Sequence, residues 1–130
     1  MKDSDKSLYH IDFYEDKNGD SELVDYLDDL GERSATSKTA RINLDKILSY
    51  FGLLERYGTR VGKPVVKHID GNLWELRPLS NRIFFFHWTG KKFIMLHYFI
   101  KKTQKTPPQE IEKARAKMKD FIERNKPNGN

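Results

Sequence analysis

The sequence predicts a small α+β fold with elements in the order β-α-α-β-β-β-β-α. Three observations carry this expectation. Two stretches near the start repeat apolar residues at helical spacing. From Val61 onward, four strand-length runs succeed one another with turn residues between them. A capped helical pattern then begins at Thr106. The expectation is an antiparallel or mixed sheet with an N-terminal helical hairpin and a C-terminal helix. The 130 residues fit one compact domain spanning 1–130, with 126–130 as a frayed tail.

Leu8–Tyr14 reads as the first strand, with Tyr9, Ile11 and Phe13 alternating against His10 and Asp12. Asn18-Gly19 signals a turn. Ser21–Leu30 reads as a short helix bearing Leu23, Leu27 and Leu30, with Gly31 as its C-terminal cap. Asp28 and Asp29 oppose the helix dipole at that end. Ser34–Tyr57 is a longer helix. Ala40, Leu44, Ile47, Phe51 and Leu54 form its stripe, Leu48 lies beside it, and Gly58 is a candidate cap.

The four strand runs are KPVVKHID, LWELRPL, RIFFFHW and KFIMLHYFI. Their short connections favour an antiparallel meander, with helices covering one face. Thr106-Pro107-Pro108-Gln109 opens the last helix. Thr106 is the expected cap and Pro107 the first helical residue. Ile111, Ala114, Met118, Phe121 and Ile122 supply its stripe.

Charge is divided along the chain. Residues 1–33 carry 4 Lys/Arg and 11 Asp/Glu, whereas residues 34–130 carry 20 and 8. That division suggests a basic surface for a polyanion and an acidic one elsewhere. Cysteine is absent, which excludes disulfides, thiolate nucleophiles and cysteine metal sites. No HExxH or other ligand spacing points to metal, and no GxGxxG, Walker or GxSxG motif points to a cofactor or acyl transfer. The start has no apolar core for a signal peptide, and no run is long enough to cross a bilayer. Together with the missing cysteines, this reads as cytoplasmic with no membrane contact.

Residues 60–105 hold ten Lys/Arg but only two acids, Asp70 and Glu75. By alternation Trp74 and Leu76 face the core, and Leu73, Glu75 and Arg77 the other side. Arg82 opens the next strand near Arg77, so two guanidiniums could converge on one phosphate. An exposed ion pair with Glu75 is the plainer use of Arg77. Lys67 and His68 lie beside them, and His68 near a turn could accept a proton. Alternation groups His97 with Phe93, Met95 and Phe99, where a buried structural histidine is the plainer reading. His87 reads as structural, and His10 lies in the acidic arm. Lys101, Lys102 and Lys105, with Lys91 and Lys92, are candidate phosphate-backbone contacts.

The stretch LWELRPLSNRIFFF, with FIMLHYFIKKTQKTPPQEIEKA after it, resembles the phage-derived, HigB-like branch of the RelE/HigB toxin superfamily. The marks are LWELR, an arginine opening the next aromatic strand, LH-x-F-x-KK-x-x-x-x-P and the E-I-E-x-A helix. They span Leu73 to Ala114. The resemblance implies a RelE-like fold and a type II toxin–antitoxin toxin that cleaves mRNA, usually in the ribosomal A site. It implies a HigA-like helix-turn-helix antitoxin, with operator DNA bound only through the complex. By position, Arg77 and Arg82 match the family arginines, and His97, Lys101 and Lys102 match the histidine-lysine stretch. Lys67 and His68 match by place alone. The expected activity is metal-independent attack of the RNA 2′-hydroxyl on the adjacent phosphate, without a cofactor. Arg77 and Arg82 would stabilise charge, and His68, His97 or a lysine would move the proton. A non-catalytic RNA- or DNA-binding module and a protein-interaction module are the rival readings of the same basic face.

Overall fold

The computed structural model describes residues 8–126. Residues 1–7, and 127–130 of the expected frayed tail, lie outside them. Strand β1 is His10–Phe13, followed by helices α1 (Glu22–Arg33) and α2 (Lys38–Tyr57). A 3-10 turn, Gly58–Val61, leads to β2 (Val66–Asp70), β3 (Leu73–Leu76), β4 (Asn81–His87) and β5 (Lys92–Ile100). Helix α3 is Pro108–Arg124. The architecture is α+β, in the predicted order.

The five strands form one sheet in the order β1-β5-β4-β3-β2. Strands β2 to β5 are the predicted antiparallel meander, and β1 joins β5 in parallel, so the sheet is mixed. That parallel join needs a long crossover, which the intervening helices and strands supply.

The sheet is covered on both faces, not one. Leu23, Leu30, Ile47, Phe51 and Leu54 of the helical hairpin pack on Leu76, Ile83, Phe85, Phe93 and Met95. Behind the sheet, Leu73, Phe84, Phe86, Ile94 and Leu96 pack against Ala114, with Ile111, Met118 and Phe121 beside it. Central strand β4 explains the difference: Asn81 through Phe86 are all buried. A continuous apolar run, rather than alternation, is what two-sided burial demands.

Several local boundaries differ from expectation. Helix α1 runs through Gly31 to Arg33 and caps on Ser34. Arg33 pairs with Asp29 at 2.8 Å one turn back, which offsets the misplaced acid. Ser37, not Ser34, caps α2, its hydroxyl accepting from the Ala40 N–H. Leu48 is half exposed and does not join the core. The predicted cap of α3 also moves: Pro107 occupies it, and Thr106 donates its hydroxyl elsewhere.

The alternation assigned to β5 fails at one position. Phe84 pairs with His97 but Phe85 with Met95, so Leu96 is an extra residue in a β-bulge. The bulge reverses the facing of the residues beyond it. His97 and Phe99 turn to the α3 side with Leu96, and Tyr98 turns to the hairpin side.

Gly58 closes α2 at φ 66, as the predicted cap requires. A Cβ there would lie 2.8 Å from the Tyr9 ring. Gly58→Ala should therefore lose about 1–3 kcal/mol, from left-handed strain plus the clash. Urea unfolding should show a lower midpoint with an unchanged slope; an unchanged midpoint contradicts the account.

Candidate functional site

The site begins at the turn between β3 and β4. Pro78–Ser80 reverses the chain, with Leu79 in the left-handed region at φ 59. A leucine held there costs about 1–2 kcal/mol. Arg82 pins the turn: its Nη1 donates to the Leu79 carbonyl at 2.8 Å and the Asn81 carbonyl at 2.9 Å. Its neighbour Asn81 faces the opposite way. Asn81 accepts from Tyr26 on α1 and donates to Asn43 on α2, locking the turn to the hairpin.

Arg82 and Phe84 share the α3 side of β4, and Glu75 pairs with Phe84 across the ladder. Extending that register by one residue sets Arg77 opposite Arg82. The two arginines are thus neighbours across the strand ends, in a more buried setting than expected, and each borders its own hollow. Arg82 is 7% exposed. Burial, with the neighbouring Arg77 charge, pulls Arg82 below the ordinary arginine range. Glu75 lies against Arg77, Oε1 to Nε at 3.5 Å, but it is fully buried rather than an exposed surface partner. The expectation of an open face fails because the loop after β5 and the start of α3 close over these strand ends.

Two cavities open there. One of about 410 Å³ is lined by Ser80, Arg82, Lys101, Lys102, Thr103 and Gln104. The other, of about 300 Å³, includes Lys67, His68, Arg77, Gln104, Lys105 and Thr106. Gln104 borders both. The fold thus gathers Lys67, His68, Arg77, Arg82, Lys101, Lys102 and Lys105 around adjoining hollows. Every one of these seven is a base, and the shape suits a polyanionic backbone.

His68 Nε2 lies 2.8 Å from the Gly71 carbonyl. A carbonyl only accepts, so Nε2 carries the hydrogen and Nδ1 of the neutral ring is left as an acceptor. His97 differs on both counts. Its Nδ1 is 3.0 Å from the Lys117 ammonium, and its Nε2 is 2.7 Å from Glu110. An ammonium only donates, so Nδ1 accepts and Nε2 donates to the carboxylate. Both ring nitrogens are occupied, and the ring runs parallel to that of Phe84 with centroids 6.3 Å apart. It borders a neighbouring groove of about 830 Å³, lined by Glu22, Asp25, Asp29 and Glu110 and sharing Lys102 and Thr103 with the Arg82 hollow. The β-bulge puts His97 on the same, α3 side of the sheet as Arg82, but His97 stands two residues further from the strand end and lines neither basic hollow.

Lys91 and Lys92 also stand apart. They sit at the opposite end of β5, roughly 20 Å from Phe99 at strand rise. Lys92 is paired there with Asp12 at 3.3 Å. His87 and His10 lie outside the cluster, as expected. The residues that sequence reasoning passed over are Glu75 as a buried group, Thr106 and Gln104. The position of Glu75 between the buried Leu73 and the arginine-bearing strand end was the one available signal.

Fold and site together define a small α+β protein with a cleft of converging bases at one end of its sheet. The Phage derived protein Gp49-like (DUF891) family matches residues 27–119, and the chain belongs to it. That family is RelE-like and of the toxin–antitoxin type, so an antitoxin partner is implied. No curated protein matches the chain. No helix among the described residues is long and apolar enough to cross a membrane.

Two outcomes test this geometry. Burial first, and then Lys117, lower the pKa of His97 below its ordinary 6.5, against the opposing pull of Glu110 and Glu22. The folded protein then binds fewer protons than the unfolded chain as pH falls below 6.5. Stability is complete above that pH and should decline beneath it, before the carboxylate range is reached. A urea midpoint equal at pH 7.0 and 5.5 would refute the neutral ring. Second, Arg77→Ala leaves the Glu75 carboxylate buried with less compensation, which should cost about 2–4 kcal/mol. Arg77→Ala with Glu75→Gln should recover much of that loss by chemical denaturation.

Proposed function

We propose that the protein is a metal-independent endoribonuclease, a toxin that cuts mRNA in the cleft between β3, β4 and the loop after β5. The single observation carrying this reading is the placement of Arg77 opposite Arg82 beneath a loop bearing Lys101, Lys102 and Lys105. Two guanidinium forks suit the nonbridging oxygens of one phosphate, and the lysines suit its neighbours along a strand. Family membership supplies the toxin class.

In this mechanism His68 Nδ1 takes the proton from the RNA 2′-hydroxyl. The 2′-oxygen attacks the adjacent phosphorus, and the bond from phosphorus to the 5′-oxygen breaks. Lys67, in the same hollow, returns a proton to the departing 5′-oxygen. The products are a 2′,3′-cyclic phosphate and a 5′-hydroxyl. Arg77 and Arg82 stabilise charge developing on the phosphate. His97 takes no part, since its nitrogens are occupied. The substrate is mRNA in the ribosomal A site, the compartment is the cytoplasm, and the antitoxin is a HigA-like helix-turn-helix protein through which the complex reaches operator DNA.

Mapping transcript 5′ ends after brief induction, with and without translation, tests the activity and its ribosome dependence. Wild type should create new 5′-hydroxyl ends. Arg77→Lys and Arg82→Lys keep charge but lose the fork, and each should slow cleavage about a hundredfold. His68→Gln should slow it by at least about a hundredfold. RNA retained without being cut would instead mark a binding module. Cleavage should persist in excess chelator; loss there, restored by added metal, would refute the mechanism.

A further inference from the structure

The proposed reaction leaves one charged group of the cleft without a task, the carboxylate of Glu75. It is wholly inaccessible, and a carboxylate withdrawn from water is costly unless charge and hydrogen bonds answer it. Three buried side-chain atoms without a hydrogen-bond partner occur among the described residues: Glu75 Oε1, Arg77 Nε and Arg82 Nε. All three belong to this cluster. At 3.5 Å the Arg77 contact acts through charge rather than an aligned hydrogen bond. Among the described residues, the one hydrogen bond that the Glu75 carboxylate accepts comes from Thr106 Oγ1, at 3.0 Å to Oε2.

Thr106 stands at the end of the loop joining β5 to α3. Its hydroxyl contributes nothing to the helix start, since Pro107 is the cap and makes no side-chain bond. The loop's other end is held where the Lys101 N–H donates to the Ser80 carbonyl at 2.8 Å. Between these anchors lie Lys101, Lys102 and Lys105, which line the hollows over Arg82 and Arg77. An internal bond from Thr103 Oγ1 to the Lys105 carbonyl, at 3.0 Å, shapes the span between them.

We propose that Glu75 and Thr106 are a positioning pair: Glu75 sets the two arginines by charge and, through Thr106, latches the lysine loop over them. Glu75 is too buried to touch RNA, and Thr106, at the border of one hollow, acts through its bond to Glu75. The inference rests on the RNA-cleavage reading for what the loop holds, but the latch stands on its own geometry. A charge-assisted hydrogen bond inside the protein is stronger than a neutral one, which suits it to closing a polar loop.

The test uses the full chain carrying Thr106→Val, Thr106→Ser or Glu75→Gln. Two readouts are independent of each other. Trypsin nicking at Lys101, Lys102 and Lys105 under native conditions reports the latch without RNA. KM and kcat for a single-stranded RNA oligonucleotide, with the salt dependence of binding a 2′-O-methyl version, report positioning. Thr106→Val should be nicked about tenfold faster or more. Its KM should rise more than its kcat falls, with a shallower salt slope as loop lysines leave the phosphates. Thr106→Ser should restore all three. Glu75→Gln retains an acceptor for Thr106 but loses the charge, so nicking should rise less than in Thr106→Val while kcat drops.

Nicking of Thr106→Val at the wild-type rate would overturn the latch. Faster nicking with unchanged KM and salt slope would overturn the positioning role. If wild type cuts no RNA while Thr106→Val is still nicked faster, the cleavage reading fails and the latch is supported. Were Thr106→Val to lose its fold by circular dichroism, the Glu75→Gln pattern decides alone: kcat equal to wild type refutes the role.

Discussion

Burial of β4 on both faces is the constraint from which the molecule is arranged. A strand that is inaccessible from Asn81 to Phe86 needs partners above and below, so the helical hairpin takes one face and α3 the other. The strand also begins with two polar residues, and alternation sends them to opposite sides. Asn81 satisfies itself with Tyr26, Asn43 and the Pro78 carbonyl, tying the turn to the hairpin. Arg82 goes to the α3 side, beyond the helix start, where the layer is completed only by a loop. The cleft exists because only the loop after β5 and the start of α3 reach over the strand ends.

Electrostatics then divide the α3 side in two. At the strand ends, bases crowd around a single buried acid, and Arg82 is desolvated beside Arg77. Nearer the hairpin, acids predominate, and His97 mediates between Glu110 and Lys117 while remaining neutral. Lys117 reaches on to Glu22 of α1 at 3.1 Å, so α1, β5 and α3 meet through one chain of contacts. Lys102 and Thr103 border both regions. The charge asymmetry between the first 33 residues and the rest is thus partly spatial: the acids of α1 rim a groove beside the basic cleft, not opposite it.

Much of this was legible in the residues. Helical spacing located α1, α2 and α3, and turn residues separated the meander strands. The pairing of LWELR with a second arginine a few residues on pointed to the cleft, because a tight turn between antiparallel strands must bring their ends together. The illegible features depended on partners distant in sequence. A one-residue bulge at Leu96 reverses the facing of His97, and no local pattern marks it, since residues on both sides are apolar and buried either way. Burial of Glu75 depends on Thr106, thirty-one residues away, and on where the loop lies. The cap of α3 shifted by one residue for the same reason: the threonine hydroxyl is claimed by a carboxylate rather than by its own helix.

The sequence by itself determined the α+β class, the element order and the pair of arginines, because periodicity, turn chemistry and strand adjacency are local properties. Only the tertiary structure decided which bases share a cleft. It kept Lys67, His68, Lys101, Lys102 and Lys105 with the arginines, and left Lys91, Lys92 and His97 elsewhere. Strand length separates the first two by the span of β5, and the histidine, though on the face of Arg82, has its ring tied to Glu110 and Lys117. Both are consequences of packing two faces of one sheet at once, which no single stretch of chain records.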